Sequence, residues 1–143
     1  MGLDLICGDV RIKCGSYSSV QKIRHELLVG VKYYLEEFFS EKEEVIDYLC
    51  SLLKEKDTIQ YHKKDLKKNR ELGKLCLDGF FPFIFHSDYD GSLSSYHAKQ
   101  FLETWDIIEE YIDNPLLKEK DRSFYLYDIF RESIDLCEDI RFC

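Results

Sequence analysis

The sequence contains few of the residues that interrupt regular structure. It has two prolines and seven glycines among 143 residues, and this scarcity argues against a disordered chain or a long linker. Hydrophobic residues make up 45% of the chain and aromatic residues 15%, which is enough apolar material for a large core. Because this length suits one domain, we predict a single globular domain over residues 1–143.

The chain also lacks a positive net charge, a secretory signal and a long apolar run. Its net charge of −8 repels phosphate groups, so nucleic acid and anionic membranes are poor partners. The opening MGLDLICGDV has no basic region of the kind that begins a signal peptide, and no apolar run approaches the length of a membrane span. We therefore expect a cytoplasmic protein with no nucleic-acid or membrane partner.

The six cysteines show neither C-x-x-C spacing nor the pattern of a compact disulfide scaffold. Without a secretory signal, they are interpreted as free thiols that serve mostly as small core residues.

Residues 3–14, LDLICGDVRIKC, predict a β-hairpin with Gly8-Asp9 as its two-residue turn. Folding about this turn places Leu5 opposite Ile12 and Leu3 opposite Cys14 on one face. The same register places Asp4 opposite Lys13 on the other face.

After the hairpin, apolar residues recur at helical spacing along most of the chain. Ser18 with Gln21, and Ser40 with Glu43, match the capping-box pattern and predict the starts of two helices. A helix is expected over 58–76, another from Ser94 or Ser95 to about 112, and a last one over about 122–139.

The apolar run FFPFIF, residues 80–85, predicts a third strand, with Pro82 placing it at a sheet edge or a strand end. The sum is an α+β fold in which about five helices pack on a small antiparallel sheet built from the hairpin 3–14 and this strand.

The first candidate site is the turn Gly15-Ser16-Tyr17-Ser18, with Arg24 further along the following helix. Free backbone N–H groups and hydroxyls at a helix N-terminus suit an anion. A plain N-cap at Ser18 explains the same residues and is the favoured interpretation.

The second candidate is the loop HSDYDG, residues 86–91. A divalent metal on His86, Asp88 and Asp90 is one interpretation, although the loop lacks the glutamate of a calcium-binding EF-hand. A turn is favoured, in which Asp88 or Asp90 bonds backbone N–H groups and Gly91 takes a positive φ.

These two motifs, together with the MGLD opening, resemble a group of uncharacterised bacterial and viral proteins that carry GSYS and (F/H)SDx(D/E)G motifs. In that group the x is commonly cysteine, whereas this chain has Tyr89, which excludes a thiolate role for the loop. The resemblance implies no activity or cofactor. A weaker likeness, from the first residues and the composition, is to small acidic immunity proteins of bacterial toxin systems.

The sequence shows no nucleophile paired with a base, so the leading hypothesis is a non-enzymatic module, without a cofactor, that binds an unidentified protein or small ligand. Its candidate ligand-binding residues belong to the two motifs: Gly15, Ser16, Tyr17, Ser18, Arg24, Ser87, Asp88, Asp90 and Gly91. The alternative is a metal-dependent hydrolase or transferase that acts on a phosphate-bearing substrate, with a divalent metal on His86, Asp88 and Asp90.

Overall fold

A computed structural model describes residues 2–54, 66–86, 91–112 and 126–143. In these ranges the chain forms four strands and six α-helices, which confirms the predicted α+β class. Their order is β1 (Gly2–Cys7), β2 (Val10–Ser16), α1 (Tyr17–Phe38), α2 (Glu43–Leu53), α3 (Leu66–Lys74), α4 (Phe81–Ile84), β3 (Ser92–Leu93), α5 (Ser95–Ile108), a short 3-10 helix (Glu109–Tyr111), α6 (Leu126–Leu136) and β4 (Ile140–Phe142).

The N-terminal hairpin is confirmed, with one correction to its register. β1 and β2 pair antiparallel around the predicted turn, and Asp4 lies opposite Lys13 as expected. The pairing shifts beyond Asp4, so that Leu3 faces Gly15 and Cys14 is the extra residue of a β-bulge. The predicted Leu3–Cys14 pair is therefore wrong. A bulge adds one residue to one strand, and a strict alternation of side chains between the two faces does not predict it.

The predicted strand over 80–85 is also wrong, because these residues form the single-turn helix α4. Pro82 lies in the first turn of this helix, where the missing N–H costs no hydrogen bond. A short apolar run has the same appearance in a buried strand and in a buried helix, and here the helix is the outcome.

The sheet is completed instead by two short strands late in the chain. The strand order is β2-β1-β4-β3, with every neighbouring pair antiparallel. β4 lies between β1 and β3, and the backbone pairing of Asp4 with Cys143 extends its contact with β1. The two strands that carry or border the motifs, β2 and β3, therefore occupy opposite edges of the sheet.

One face of the sheet packs on the helices. Leu5, Ile12 and Phe142 point to this face and are buried, whereas Arg11 and Arg141 on the other face are exposed. α1 and α6 contact β1 and β2 directly, and α5 packs against α6. The buried apolar side chains form one contiguous core.

Two of the predicted helix caps differ from those observed. The N-cap of α1 is Ser16 and not Ser18, and α2 begins after Lys42 without a side-chain cap, so the box at Ser40 is not used. The start of α5 is confirmed, since the Ser94 side chain accepts a hydrogen bond from the backbone N–H of His97. A serine just before a helical pattern thus predicts the start of the helix to within a few residues. Which residue caps the helix depends on the conformation of the preceding turn.

All six cysteines are free thiols in the structure. Only Cys7 and Cys14 are buried, Cys50 is half-buried, and Cys76, Cys137 and Cys143 are exposed. The expectation that most of them serve the core is therefore wrong.

Within the described ranges, each helix is either too short or too polar to cross a membrane.

Candidate functional site

The GSYS turn forms the junction between β2 and α1. Ser16 Oγ accepts a hydrogen bond from the Ser19 backbone N–H at 3.3 Å and lies 3.0 Å from Ser18 Oγ. Gly15 has a φ of 87°, and Tyr17 is the first residue of α1. The Ser16 hydroxyl is thus engaged in capping the helix, and anion binding at this turn stays a prediction.

Arg24 lies in the second turn of α1 and is fully buried. Its Nη2 donates a hydrogen bond to the backbone carbonyl of His86 at 3.0 Å, and its guanidinium carbon lies 5.3 Å from the centre of the Phe83 ring. A charged donor strengthens a hydrogen bond, and the ring face favours the cation. Arg24 therefore joins α1, the helix after the first motif, to His86, the first residue of the second motif.

His86 is held on several sides. Its ring stacks on Phe142 with a centroid distance of 3.8 Å, and its Nε2 lies 3.2 Å from the Ser92 carbonyl oxygen. Because a carbonyl can only accept, Nε2 carries the proton in this bond. Gly91 has the predicted positive φ, at 94°, and a Cβ there would lie 3.3 Å from the His86 ring. The imidazole thus fixes the chain on both sides of residues 87–90.

The described ends of the two motifs, at Ser16 and Gly91, lie at opposite edges of the sheet. Arg141 faces both Ile6 of β1 and Ser92 of β3, so moving from Ser92 back to Gly91 leads toward the end where Ser16 pairs with Gly2. Three inter-strand gaps separate β2 from β3, which is about 14 Å at ordinary strand spacing. A compact site built from both turns would have to span that distance.

Four residues named in the prediction, Ser87, Asp88, Tyr89 and Asp90, lie outside the described residues. Among the residues that are described, no three His, Cys, Asp or Glu side chains come together as a metal site would require. Since Nε2 of His86 is used by Ser92, a metal ligand role for His86 would have to use Nδ1. The metal-dependent alternative therefore stays a prediction.

A cleft of about 470 Å³ opens beside His86. This volume lies in the range of small-ligand sites in proteins. Its lining combines apolar and polar side chains. We refer to the lining residues of α3 and the loop after it as the α3 wall, to those of α5 as the α5 wall, and to the Phe81 and Phe85 rings as the floor. The lining residues are Asn69, Asp78, Phe81, Pro82, Phe85, His86, Ser92, Leu93, His97 and Gln100.

The wall formed by α3 and the loop after it carries two oxygen acceptors. Asn69 Oδ1 is buried and receives no hydrogen bond from the described residues. The Asp78 carboxyl packs against the last turn of α3, 3.0 Å from the point where a Cβ on Gly73 would lie. Burial raises the pKa of Asp78 above its usual value, and a hydrogen bond to its own backbone opposes this only in part.

The α5 wall comes from the first part of that helix. His97 and Gln100 are three residues apart and so share a face of this helix. Gln100 Nε2 donates to the exposed Tyr96 hydroxyl at 3.2 Å, which supports the rim of the cleft. The floor includes the rings of Phe81 and Phe85, whose centres are 5.4 Å apart.

Of the predicted site residues, His86 lines the cleft. Arg24 is connected to the cleft by its hydrogen bond to the His86 carbonyl. Asn69, Asp78, His97 and Gln100 were not predicted as site residues. The one local signal was the Asp78-Gly79 pair within LCLDGFF, which is typical of a turn. The other three lie within helical patterns, where nothing distinguishes a cleft residue from an exposed one.

The raised pKa of Asp78 predicts a pH-dependent gain in stability for Asp78→Asn. The folded protein holds this proton more tightly than the unfolded chain, so ionisation costs stability as the pH rises above 3.8, the ordinary value. Asparagine removes that cost and keeps an acceptor. We expect the urea midpoint of the variant to exceed that of the wild type by more at about pH 7 than at about pH 4.

The exposed Asp106 on α5 offers a matched control, since Asp106→Asn removes one carboxylate outside the cleft. An equal pH-dependent gain in both variants would mean that overall charge, rather than burial of Asp78, is responsible.

No protein-family model, curated protein or solved structure matches this chain.

Proposed function

We propose that this protein is a non-enzymatic binding module for a small organic ligand, and that the ligand occupies the cleft beside His86. The observation that carries the proposal is the cleft itself, about 470 Å³ in volume, whose lining combines aromatic and aliphatic side chains with polar groups. An apolar floor supplies binding energy, while a few polar groups fix the orientation of a ligand.

The rigidity of the cleft end at His86 supports this function. The His86 carbonyl is bound by a buried arginine, and the ring is stacked on Phe142 and bonded to Ser92. A preformed site loses less conformational entropy on binding than a site that must be assembled. A small ligand suits such a concave site better than a flat protein surface does.

The charge and thiol content support a cytoplasmic protein without a nucleic-acid partner. The net charge of −8 opposes association with phosphate backbones, and six free thiols suit a reducing compartment.

A fragment titration followed by ¹H–¹⁵N NMR tests the proposal. With a panel of monocyclic aromatic compounds, we expect saturable shifts concentrated at Asp78, Phe85, Ser92 and His97. Gln100→Trp, which adds bulk on the α5 wall, should abolish these shifts.

The matched control is Lys99→Trp, which places the same side chain at the next position, on the exposed side of α5. This variant should bind the fragments like the wild type. Shifts that are scattered over the surface, or that persist in Gln100→Trp, would contradict the proposal.

A further inference from the structure

The α3 wall of the cleft presents two oxygen acceptors, and one of them, Asn69 Oδ1, lacks a donor among the described residues. Asn69 and Gly73 are four residues apart and therefore lie on the same face of α3. The Asp78 carboxyl packs over Gly73, and Asp78 and Asn69 both line the cleft. Buried polar atoms in native proteins nearly always have a hydrogen-bond partner. The Asn69 oxygen therefore suits a donor supplied by a ligand.

α3 itself is basic, with Lys67, Lys68, Arg70 and Lys74 in its nine residues, but none of these four cations pairs with Asp78. Among the described residues, no ion pair includes Asp78. The influences on the Asp78 carboxyl are burial and its own backbone, with no neighbouring cation among them. A carboxylate that is partly removed from water gains most from a counter-charge that arrives with its own hydrogen-bond donors.

We propose that the ligand of this cleft is a small aromatic cation whose positively charged nitrogen group donates hydrogen bonds to Asp78 and Asn69 while its ring packs on Phe81 and Phe85. The inference rests on the proposed function of the cleft, and it adds the chemical class of the ligand. The two phenylalanine rings lie 5.4 Å apart at 45°, and aromatic rings favour offset or edge-to-face packing with such side chains. The net charge of −8 adds a long-range attraction for cations.

Two histidines, His86 and His97, also line the cleft. Their ring nitrogens add further polar groups to the lining. Ionised Asp78 attracts a cation, and burial raises its pKa, so affinity for the proposed ligand should increase as the pH rises through the titration of Asp78.

Three probes of similar shape and different charge test the inference: benzamidine, benzyl alcohol and benzoate. Titrated at about pH 8 and followed by NMR, benzamidine should bind at least about tenfold more tightly than benzyl alcohol, and benzoate should bind most weakly. Asp78→Asn and the near-isosteric Asn69→Leu should each weaken benzamidine binding by about tenfold and leave benzyl alcohol binding nearly unchanged. Asp106→Asn should alter neither.

The possible results separate the two proposals. If benzyl alcohol or benzoate binds in the cleft as tightly as benzamidine, the cationic class is wrong and the binding module stands. If benzamidine shifts cleft resonances equally in the wild type, Asp78→Asn and Asn69→Leu, the assigned recognition groups are wrong. If none of the three compounds, nor any member of the fragment panel, shifts cleft resonances, both proposals are overturned.

Discussion

Gly79→Ala is expected to destabilise the protein by about 3–5 kcal/mol, from overpacking against backbone together with the loss of buried hydrogen bonds. A Cβ on residue 79 would lie 2.1 Å from the Gln100 carbonyl oxygen and 2.4 Å from Thr104 Oγ1. Both are far inside van der Waals contact, and the first atom belongs to the backbone of a packed helix. Such a loss is a large fraction of the total stability of an ordinary domain.

Two hydrogen bonds that share the Thr104 hydroxyl hold the loop at Gly79 close to α5. The Gly79 N–H donates to Thr104 Oγ1 at 3.0 Å, and the Thr104 hydroxyl donates to the Cys76 carbonyl at 2.7 Å. Thr104 is buried, so separating the loop from α5 leaves polar groups without partners. Thr104→Val isolates this contribution and should cost about 1–3 kcal/mol.

Urea denaturation followed by circular dichroism measures both effects. Gly30→Ala is the matched control, because Gly30 is also buried but its added Cβ would lie 3.0 Å from Ile108 Cδ1 and 3.2 Å from Ile112 Cγ1, which are side-chain atoms at longer distances. In a helix interior alanine is favoured over glycine by about 1 kcal/mol, so this variant should remain within about 1 kcal/mol of the wild type. Equal midpoints for Gly79→Ala and the wild type would show that the loop does not dock on α5 in this way.

Local sequence signals predicted the parts of the fold that local interactions determine. The hairpin turn and the start of α5 depend on a few adjacent residues, namely Gly8-Asp9 and Ser94, and both are confirmed. β3 and β4 have two and three residues, and their pairing joins segments far apart in the chain. Strands this short are determined by tertiary pairing rather than by a repeating pattern, which is why they were missed.

The FFPFIF run shows the limit of periodicity. Phe81, Phe83 and Ile84 are all buried, so no alternation of exposed and buried positions could distinguish a strand from a helix. Pro82 was compatible with both a strand end and a first helical turn. The surrounding fold, rather than the run itself, selects the helix.

The candidate site was predictable only in part, for a similar reason. His86 was named from the composition of its loop, and the structure places it at the cleft. The α3 wall arises because Asp78 of the loop after α3 packs on Gly73 and lines the same cleft as Asn69, and the α5 wall comes from a helix later in the chain. No spacing rule connects residues 69, 78 and 97, since the distances between them are set by how the helices pack.

Arg24→Ala is expected to cost about 3–5 kcal/mol of stability, because the truncation leaves a cavity in the core and removes a charged donor from a buried carbonyl. Arg24 is fully buried and its Nη2 bonds the His86 oxygen at 3.0 Å. Arg11→Ala is the control, since that side chain is 60% exposed and pairs with Asp4 on the open face of the sheet. A surface pair of this kind contributes about 1 kcal/mol or less.

Arg24→Met separates the volume of the side chain from its charge and hydrogen bonds. Methionine fills much of the same space, so it should retain more stability than alanine does. It cannot donate to the His86 carbonyl, and we therefore expect faster amide hydrogen exchange at residues 85–86 and 91–93 and weaker fragment binding in the cleft, with α2 unchanged. If exchange in Arg24→Met rises uniformly over the chain, or not at all, then Arg24 contributes to overall stability without holding the cleft end at His86.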